Sequence, residues 1–177
     1  MKKYDLMNTI NARGTFMASK YAIPHLKRAS NPHILNLSPP LLMLPKWFKN
    51  HTAYTMAKYG MSMCVLGMAA EFRGEIGVNA IWPRTMILTS AMNLLGGADT
   101  LAALSRKPDI MADAAYVILS KPGSQVTGNF FIDEPLLREA GVTDFEQYSV
   151  KPGSKLGADF FIPDELATGL LNNYEDE

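Results

Sequence analysis

Tyr54 and Lys58 are the residues best suited to acid–base chemistry. They are four positions apart, so on a helix their side chains share one face and can converge on one point. A phenol with a pKa near ~10 is a poor acid or base at neutral pH, but a nearby ammonium stabilises the phenolate and lowers that pKa. Tyr54 can then exchange a proton with a substrate hydroxyl or carbonyl. The alternative is a tyrosine that packs on its helix beside a solvated lysine.

Two short apolar runs predict strands whose ends lie near this helix. Residues 33–38 are stopped by Pro39-Pro40, and residues 78–82 are closed by Pro83, since proline cannot donate to a strand ladder. In parallel α/β sheets, ligands gather beyond the carboxyl ends of the strands. The residues expected at that edge are Asn36, Ser38, Tyr54, Pro83, Arg84 and Thr85.

Helices and strands alternate along most of the chain. Apolar spacing and breaker residues predict helices at 6–26, 53–72, 89–104 and 109–119, and strands at 33–38, 78–82 and 128–133. Short apolar strands between long helices indicate an α/β fold with a parallel sheet covered on both faces. Pro24 should bend the first helix. Residues 1–134 are predicted to form one domain, and residues 135–177 a largely irregular C-terminal extension or linker.

Composition excludes several classes of protein. The 17 Lys and Arg balance 17 Asp and Glu, and this zero net charge argues against nucleic-acid binding through a positive field. Cys64 is the single cysteine, so no internal disulfide is possible, and its apolar helix favours a core role. The three histidines lack metal-ligand spacing, so no metal site is predicted. No apolar run of ~18 residues predicts a membrane span, and the first residues lack the apolar region of a signal peptide.

Together these motifs resemble the C-terminal part of a short-chain dehydrogenase/reductase domain. The matching segments are Asn11-Ala12-Arg13-Gly14, Ile34–Ser38, Tyr54 with Lys58, Val78–Pro83 and Thr127–Asp133. They follow the family's order, near its spacing, over roughly residues 4–134, and likeness to one branch of the family extends to about residue 165. The implied fold is a Rossmann-like three-layer α/β fold with a parallel sheet, truncated to its C-terminal half of about three strands with flanking helices.

The resemblance also implies an activity and a role for each site residue. The activity is that of a nicotinamide-dependent oxidoreductase, with NADP favoured and NAD not excluded. Tyr54 is the implied general acid/base, Lys58 binds the nicotinamide ribose, and Asn11 holds a water of the proton relay. Ser38 is the candidate for polarising the substrate carbonyl, and the residues after Pro83 touch the nicotinamide carboxamide. The implied cofactor-binding residues are Tyr54, Lys58, Pro83, Arg84 and Thr85.

The chain departs from the family pattern at three places. The family's catalytic serine lies three residues after the strand asparagine, where this chain has Pro39. Ser38 is one residue earlier and on a regular strand points to the opposite face. Arg84 stands where the family often has glycine, and either touches substrate or cofactor phosphate or lies on the surface. The glycines of this chain do not form the family's GxxxGxG turn. The alternative function is therefore a truncated, non-catalytic fragment or an interaction protein that cannot bind a dinucleotide.

Two apolar segments predict further contacts. Helix 53–72 is apolar around its circumference, and the side expected to face away from the sheet carries Met61, Val65 and Met68. By resemblance that side packs on a second copy, which predicts a homo-oligomer. Loop 41–48 and the Met-rich helix 89–104 are expected to form the wall for a lipid-like substrate. The resemblance further implies the peroxisome or mitochondrion, although this chain shows no targeting signal and a cytoplasmic location stays open.

Overall fold

The chain forms two compact units in the computed structural model, which describes residues 1–90 and 98–172. The first unit consists of Met1–Trp82 and Ile118–Phe131, and the second of Pro83–Val117 and Ile132–Glu177. Within the described ranges, no helix combines the length and apolar character needed to cross a bilayer.

The first unit begins with a long helical segment that contains a π-helical stretch. Helix α1 spans Lys2–Asn8, the π-helical segment spans Thr9–Arg13, and α2 spans Gly14–Leu26. The sequence predicts a helix here but not its π-helical segment, because one widened turn shifts the side-chain period too little to be read from residue types. Pro24 lies inside α2, as predicted.

Three strands form the predicted parallel sheet, in the order β1-β2-β3. Strand β1 spans His33–Leu37, β2 spans Gly77–Trp82 and β3 spans Phe130–Ile132. Every residue of the central strand β2 is buried, as an unbroken apolar run between two neighbours requires. The α/β fold class is therefore confirmed. The third strand is shorter than predicted, because Asp133 begins a helix instead of ending the strand.

Asn79 is the polar exception inside the buried central strand. Its Nδ2 donates to the carbonyl oxygen of Val126 at 2.7 Å, and its Oδ1 accepts from the backbone N–H of Asn129 at 3.1 Å. Because a buried amide without partners costs several kilocalories, these bonds explain how asparagine is tolerated there. They also fasten β2 to the segment that leads into β3.

Helix α3, Thr52–Glu71, packs its inner face on the sheet. That face joins Phe72 and strand residues in a core made of Val65, Met68, Ala69, Phe72, Ile76, Val78 and Ala80. The expectation that Val65 and Met68 face away from the sheet is wrong, since both are buried in this core. The outward side carries Met56, Met63 and Leu66, whose exposed fractions are 47%, 55% and 55%. A helix that is apolar on every side gives no sequence signal for which side turns inward.

The second unit contains short helices around α5. Helix α4 spans Ala98–Ala103, α5 spans Asp109–Leu119, α6 spans Asp133–Glu139 and α7 spans Asp164–Ala167. Single 3-10 turns lie at Pro45–Trp47 in the first unit and at Glu146–Tyr148 in the second. Helix α5 was predicted with these bounds, and its last residues belong to the first unit. The end of the predicted helix 89–104 is helix α4, while residues 91–97 of that prediction lie outside the described residues.

Backbone hydrogen bonds join distant segments of the second unit. The N–H of Arg106 donates to Met86 at 2.9 Å, and the N–H of Lys107 donates to Tyr148 at 2.7 Å. The N–H of Met86 donates in turn to Gly157 at 3.0 Å. The residues after β3 therefore bind back on the chain that follows β2. The predicted domain boundary near residue 134 stays a prediction.

Candidate active site

Tyr54 and Lys58 lie one turn apart on α3, as the sequence predicts, and both are half-buried. The Lys58 Nζ lies 5.3 Å from the centroid of the Trp82 ring and 4.0 Å from the Met61 Sδ. Trp82 is the last residue of β2, so the ammonium lies at the carboxyl end of the central strand. An aromatic face attracts such a cation, which helps to hold Lys58 at that end of the sheet.

The loop that precedes α3 fixes the start of the helix. The hydroxyl of Thr55 donates to the carbonyl oxygen of Trp47, and the hydroxyl of Tyr59 donates to that of Leu42 at 2.6 Å. The Phe48 and Tyr59 rings meet edge to face with centroids 5.7 Å apart. These contacts bind the loop along the first two turns of α3, where Tyr54 and Lys58 lie.

The predicted apolar loop 41–48 divides between core and surface. Trp47 is buried with 1% of its area exposed, whereas Met43 and Leu44 expose 68% and 45%. Large apolar side chains that stay exposed beside a polar site are typical of surfaces that contact a ligand or partner. Met43 and Leu44 are the exposed large apolar residues of this loop, and the predicted substrate wall of loop 41–48 and helix 89–104 stays a prediction.

Unpaired polar atoms lie at the carboxyl end of β1. Ser38 is buried, and its Oγ has no hydrogen-bond partner among residues 1–90 and 98–172. The Nδ2 of Asn36 is likewise buried without a partner in those ranges. Buried polar atoms normally find partners, so two orphans at one strand end suit a place where a polar ligand binds.

Ser62 is a residue of this region that the sequence argument missed. It lies one turn beyond Lys58 on α3, is fully buried, and donates through its Oγ to the carbonyl oxygen of Pro39 at 2.6 Å. Pro39 stands at the family's serine position, so Ser62 ties that position to the face of α3 that carries the pair. Residues 54, 58 and 62 are four positions apart, a spacing that indicates one helix face and could have identified Ser62 from the sequence.

Asn11 lies in the π-helical segment beside α3. Its Nδ2 donates to the carbonyl oxygen of Met7 at 2.9 Å. The neighbouring Ala12 contacts α3 at Gly60, where an added Cβ would lie 2.6 Å from the Ala12 Cβ. π-Helical turns are frequent at functional sites because they re-aim backbone and side-chain groups. The predicted water-holding role of Asn11 stays a prediction.

Pro83, Arg84 and Thr85 belong to the second unit and follow directly on β2. Thr85 is fully buried, and its Oγ1 has no partner in the described ranges. Arg84 donates its backbone N–H to the Asp133 Oδ1 at 2.8 Å and its Nη1 to the Glu134 Oε2 at 2.9 Å. The arginine side chain, 17% exposed, is therefore committed to protein acceptors. The predicted cofactor contacts of these three residues stay predictions.

Glu134 and Asp133 are neighbouring carboxyl groups of the second unit whose pKa values shift in opposite directions. Burial raises the pKa of Glu134, but hydrogen bonds from Arg138, Arg106 and Arg84 outweigh it and lower the value to about 2. Burial raises the pKa of Asp133 to about 6, against the opposing bonds from the amides of Arg84 and Glu134. Neither residue was singled out from the sequence, because their importance depends on arginines 28 and 50 residues away.

The chain belongs to the short-chain dehydrogenase/reductase family. The family model described as enoyl-(acyl carrier protein) reductase matches residues 1–133. Curated relatives match a longer part of the chain than the family model does. Hydroxysteroid dehydrogenase-like protein 2 of Danio rerio is 60% identical over 169 residues, which cover 94% of this chain and 40% of that protein. The Homo sapiens protein of the same name is 57% identical over 174 residues, 98% of this chain and 41% of its own length. The chain thus spans about 40% of these relatives.

Solved structures agree with the fold. A proposed dehydrogenase from Xanthomonas campestris superposes with a TM-score of 0.87 at 47% identity, over 93% of this chain and 60% of that one. A short-chain dehydrogenase from Mycobacterium thermoresistibile gives a TM-score of 0.85 at 47% identity, over 100% of this chain and 61% of the other. The Rossmann-like expectation is confirmed for the part of the fold that this chain contains.

Proposed function

We propose that this chain supplies the proton-transfer part of an oxidoreductase that interconverts a hydroxyl and a carbonyl on a lipid-like substrate, with NADP as the hydride carrier. The observation that supports it most directly is the Tyr54–Lys58 pair on α3, with the ammonium over Trp82 at the end of β2. Membership of the family supports the oxidoreductase class. NADP, in preference to NAD, rests on the likeness to one branch of that family.

Each unit, taken by itself, offers polar atoms at a strand end for the nicotinamide part of the proposed cofactor. Ser38 Oγ and Asn36 Nδ2 in the first unit, and Thr85 Oγ1 in the second, are buried polar atoms without partners in the described ranges. Lys58 would hold the ribose, and Pro83–Thr85 would contact the carboxamide. A bound nicotinamide supplies or removes the hydride at the substrate carbon. No GxxxGxG turn for the pyrophosphate occurs among these 177 residues.

Tyr54 performs the proton step of the proposed reaction. In the reducing direction its phenol gives a proton to the substrate oxygen while the carbonyl carbon gains hydride, so the product is an alcohol. In the oxidising direction the phenolate takes the hydroxyl proton. The Lys58 ammonium stabilises that phenolate, as an adjacent opposite charge does. Ser62 holds the end of β1 against the same helix face, so that the substrate oxygen meets a fixed surface.

The substrate class is proposed from apolar surface beside the site. Met43 and Leu44 expose 68% and 45% of their area in the loop that is anchored to the start of α3. An acyl chain or another apolar group of the substrate would cover them, and burial of apolar surface is worth roughly 25 cal/mol per Å². The proposed compartment is the peroxisome or the mitochondrion, again by likeness to that branch of the family.

The test replaces Tyr54 with phenylalanine in a full-length protein that contains this sequence. Tyr54→Phe keeps the ring and removes the acid, so turnover of keto-lipids with NADPH should fall by roughly 10²–10⁴-fold. The matched control is Tyr116→Phe, the same chemical change at a tyrosine that is 74% exposed on α5. Near-wild-type turnover by Tyr54→Phe would overturn the assignment, as would an equal loss in the control.

A further inference from the structure

Arg84 joins its own loop to three other segments of the second unit, at residues 133–134, 159 and 166–168. Its guanidinium donates through Nη1 to Glu134 at 2.9 Å, through Nε to the carbonyl oxygen of Leu166 at 2.7 Å and through Nη2 to that of Thr168 at 3.0 Å. Its backbone N–H donates to the Asp133 Oδ1, and its carbonyl oxygen accepts from the N–H of Asp159 at 3.1 Å. A planar guanidinium with fixed donors can serve several acceptors at once in a way that lysine cannot.

Residues 156–171 form the segment that Arg84 contacts, and we call this segment the strap. Next to Arg84, Thr85 pairs with Ala158 in an antiparallel bridge, and the N–H of Met86 donates to Gly157 at 3.0 Å. The ends of the strap close on each other through the N–H of Leu171 and the carbonyl oxygen of Leu156 at 2.9 Å. The strap is therefore a closed loop that is hydrogen-bonded along 84–86.

Buried charge makes this attachment more than a surface ion pair. Glu134 is 5% exposed and also accepts from Arg106 at 2.6 Å and from Arg138 at 2.7 Å. The carboxylate thus accepts hydrogen bonds from two other arginines besides Arg84. Charge-assisted bonds with buried partners are about twice as strong as neutral ones, whereas exposed pairs contribute little.

We propose that Arg84 is a positioning residue, which keeps Pro83–Thr85 in the conformation that receives the nicotinamide by fastening this loop to Glu134 and to the strap. The proposal rests on the proposed function. The sequence predicts no functional role for any segment beyond residue 134. The proposal gives the residues after β3 a role in holding the cofactor-binding loop. It also replaces the expected contact of Arg84 with cofactor phosphate, because its guanidinium nitrogens already bind protein acceptors.

The first measurement is hydrogen exchange of the full-length protein without cofactor. Arg84→Gln should speed exchange of the amides of Arg84 and Met86 by about tenfold or more, because their acceptors on Asp133 and Gly157 lose their fixed position. Gly169→Ala should do the same, since the φ of +83° at Gly169 forms the turn that presents the Leu166 and Thr168 carbonyls. Gly153→Ala is the matched control, with a φ of +78° and equally open space around it.

The second measurement separates binding from chemistry. Arg84→Gln and Gly169→Ala should raise the KM for the nicotinamide cofactor by about tenfold and change kcat by less than about threefold, and Arg84→Lys should recover only part of the loss. Glu139→Gln, at an exposed position of α6, should leave this KM unchanged. Slower or unchanged exchange of the Arg84 and Met86 amides overturns the fastening, and an unchanged KM overturns the positioning role. A wild-type protein without nicotinamide-dependent turnover overturns the proposed function instead, while the exchange result still decides whether Arg84 fastens the loop.

Discussion

The hydroxyl of Ser62 donates a 2.6 Å hydrogen bond to the carbonyl oxygen of Pro39, and both groups are buried. Pro39 is the residue at which the family's pattern has a catalytic serine, so this position offers a carbonyl that is already bonded and no hydroxyl. The hydroxyl that remains at this strand end is that of Ser38, which is buried and lacks a partner in the described ranges. In the proposed reaction, polarisation of the substrate by a serine would therefore be weakened, and more of the chemistry would depend on Tyr54.

We expect Ser38→Ala to reduce turnover less than Tyr54→Phe does. Loss of a general acid costs roughly 10²–10⁴-fold, whereas a displaced hydroxyl should cost no more than about tenfold. The comparison is made by steady-state kinetics on both variants of the full-length protein. Ser62→Ala serves as a structural control, because it leaves the buried Pro39 carbonyl without its donor and should lower the free energy of unfolding by about 1–3 kcal/mol. Equal losses of turnover for Ser38→Ala and Tyr54→Phe would contradict the prediction.

Gly60 and Gly67 should respond to alanine in opposite directions. A Cβ at Gly60 would lie 2.6 Å from the Ala12 Cβ, so the π-helical segment beside α3 must move, at about 1–3 kcal/mol. A Cβ at Gly67, on the same helix, would meet nothing within 4 Å, and alanine there should stabilise the helix by up to about 1 kcal/mol. Urea unfolding of both variants, at one protein concentration and in the same oligomeric state, checks the sign. A stabilised Gly60→Ala protein would show that the contact with Ala12 is not tight.

Local patterns explain why much of the fold is predictable from this sequence. Helix α5 and strands β1 and β2 lie within a residue or two of their predicted bounds, because prolines, glycines and apolar runs mark their ends. The Tyr54–Lys58 pair follows from spacing alone. The bond from Ser62 to Pro39 spans 23 positions, and the bonds from Arg106 and Arg84 to Glu134 span 28 and 50. Such contacts leave no local signature.

Asp133→Asn should flatten the pH dependence of stability between about pH 4 and pH 6. The pKa of Asp133 is raised from 3.8 to about 6, so the folded protein keeps this proton to a higher pH than the unfolded chain. The associated stabilisation, on the order of 3 kcal/mol, is present below about pH 4 and is lost as pH rises through about 6. Glu134 acts oppositely, since its pKa of about 2 gives stability that is lost as pH falls below 4.5.

The asparagine keeps an oxygen for the amides of Arg84 and Glu134, so the change acts mainly on titration. Denaturant unfolding at a series of pH values from about 4 to 7 measures the slope for the wild type and the variant. Glu139→Gln controls for the loss of one negative charge from the same helix, at an exposed position. A slope that survives Asp133→Asn would show that the proton resides on another group.

The last prediction concerns self-association through the outward side of α3. An apolar groove of about 500 Å³ lies between α2 and α3, and it is lined by Phe16, Lys20, Ile23, Met63, Cys64, Gly67, Met68, Glu71 and Phe72. Large apolar side chains in and beside the groove are exposed on both helices. The exposed fractions are 51% for Phe16, 55% for Met63 and 55% for Leu66. Contiguous apolar surface of this kind marks interfaces, and a two-fold contact would bury the same groove on two copies.

Leu66→Asp should therefore raise the dissociation constant of the dimer by tenfold or more, because it places a charge in a desolvated contact. A tenfold change corresponds to about 1.4 kcal/mol of binding free energy. Val65 is unsuitable for this test, since it is fully buried in the core and a charge there would unfold the protein. Leu119→Asp is the matched control, the same substitution at a leucine 42% exposed on α5. Sedimentation velocity of the full-length protein at micromolar concentration should show the wild type and the control associated and Leu66→Asp dissociated. A wild type that sediments as a monomer, or a control that dissociates as readily, would show that this groove does not hold the copies together.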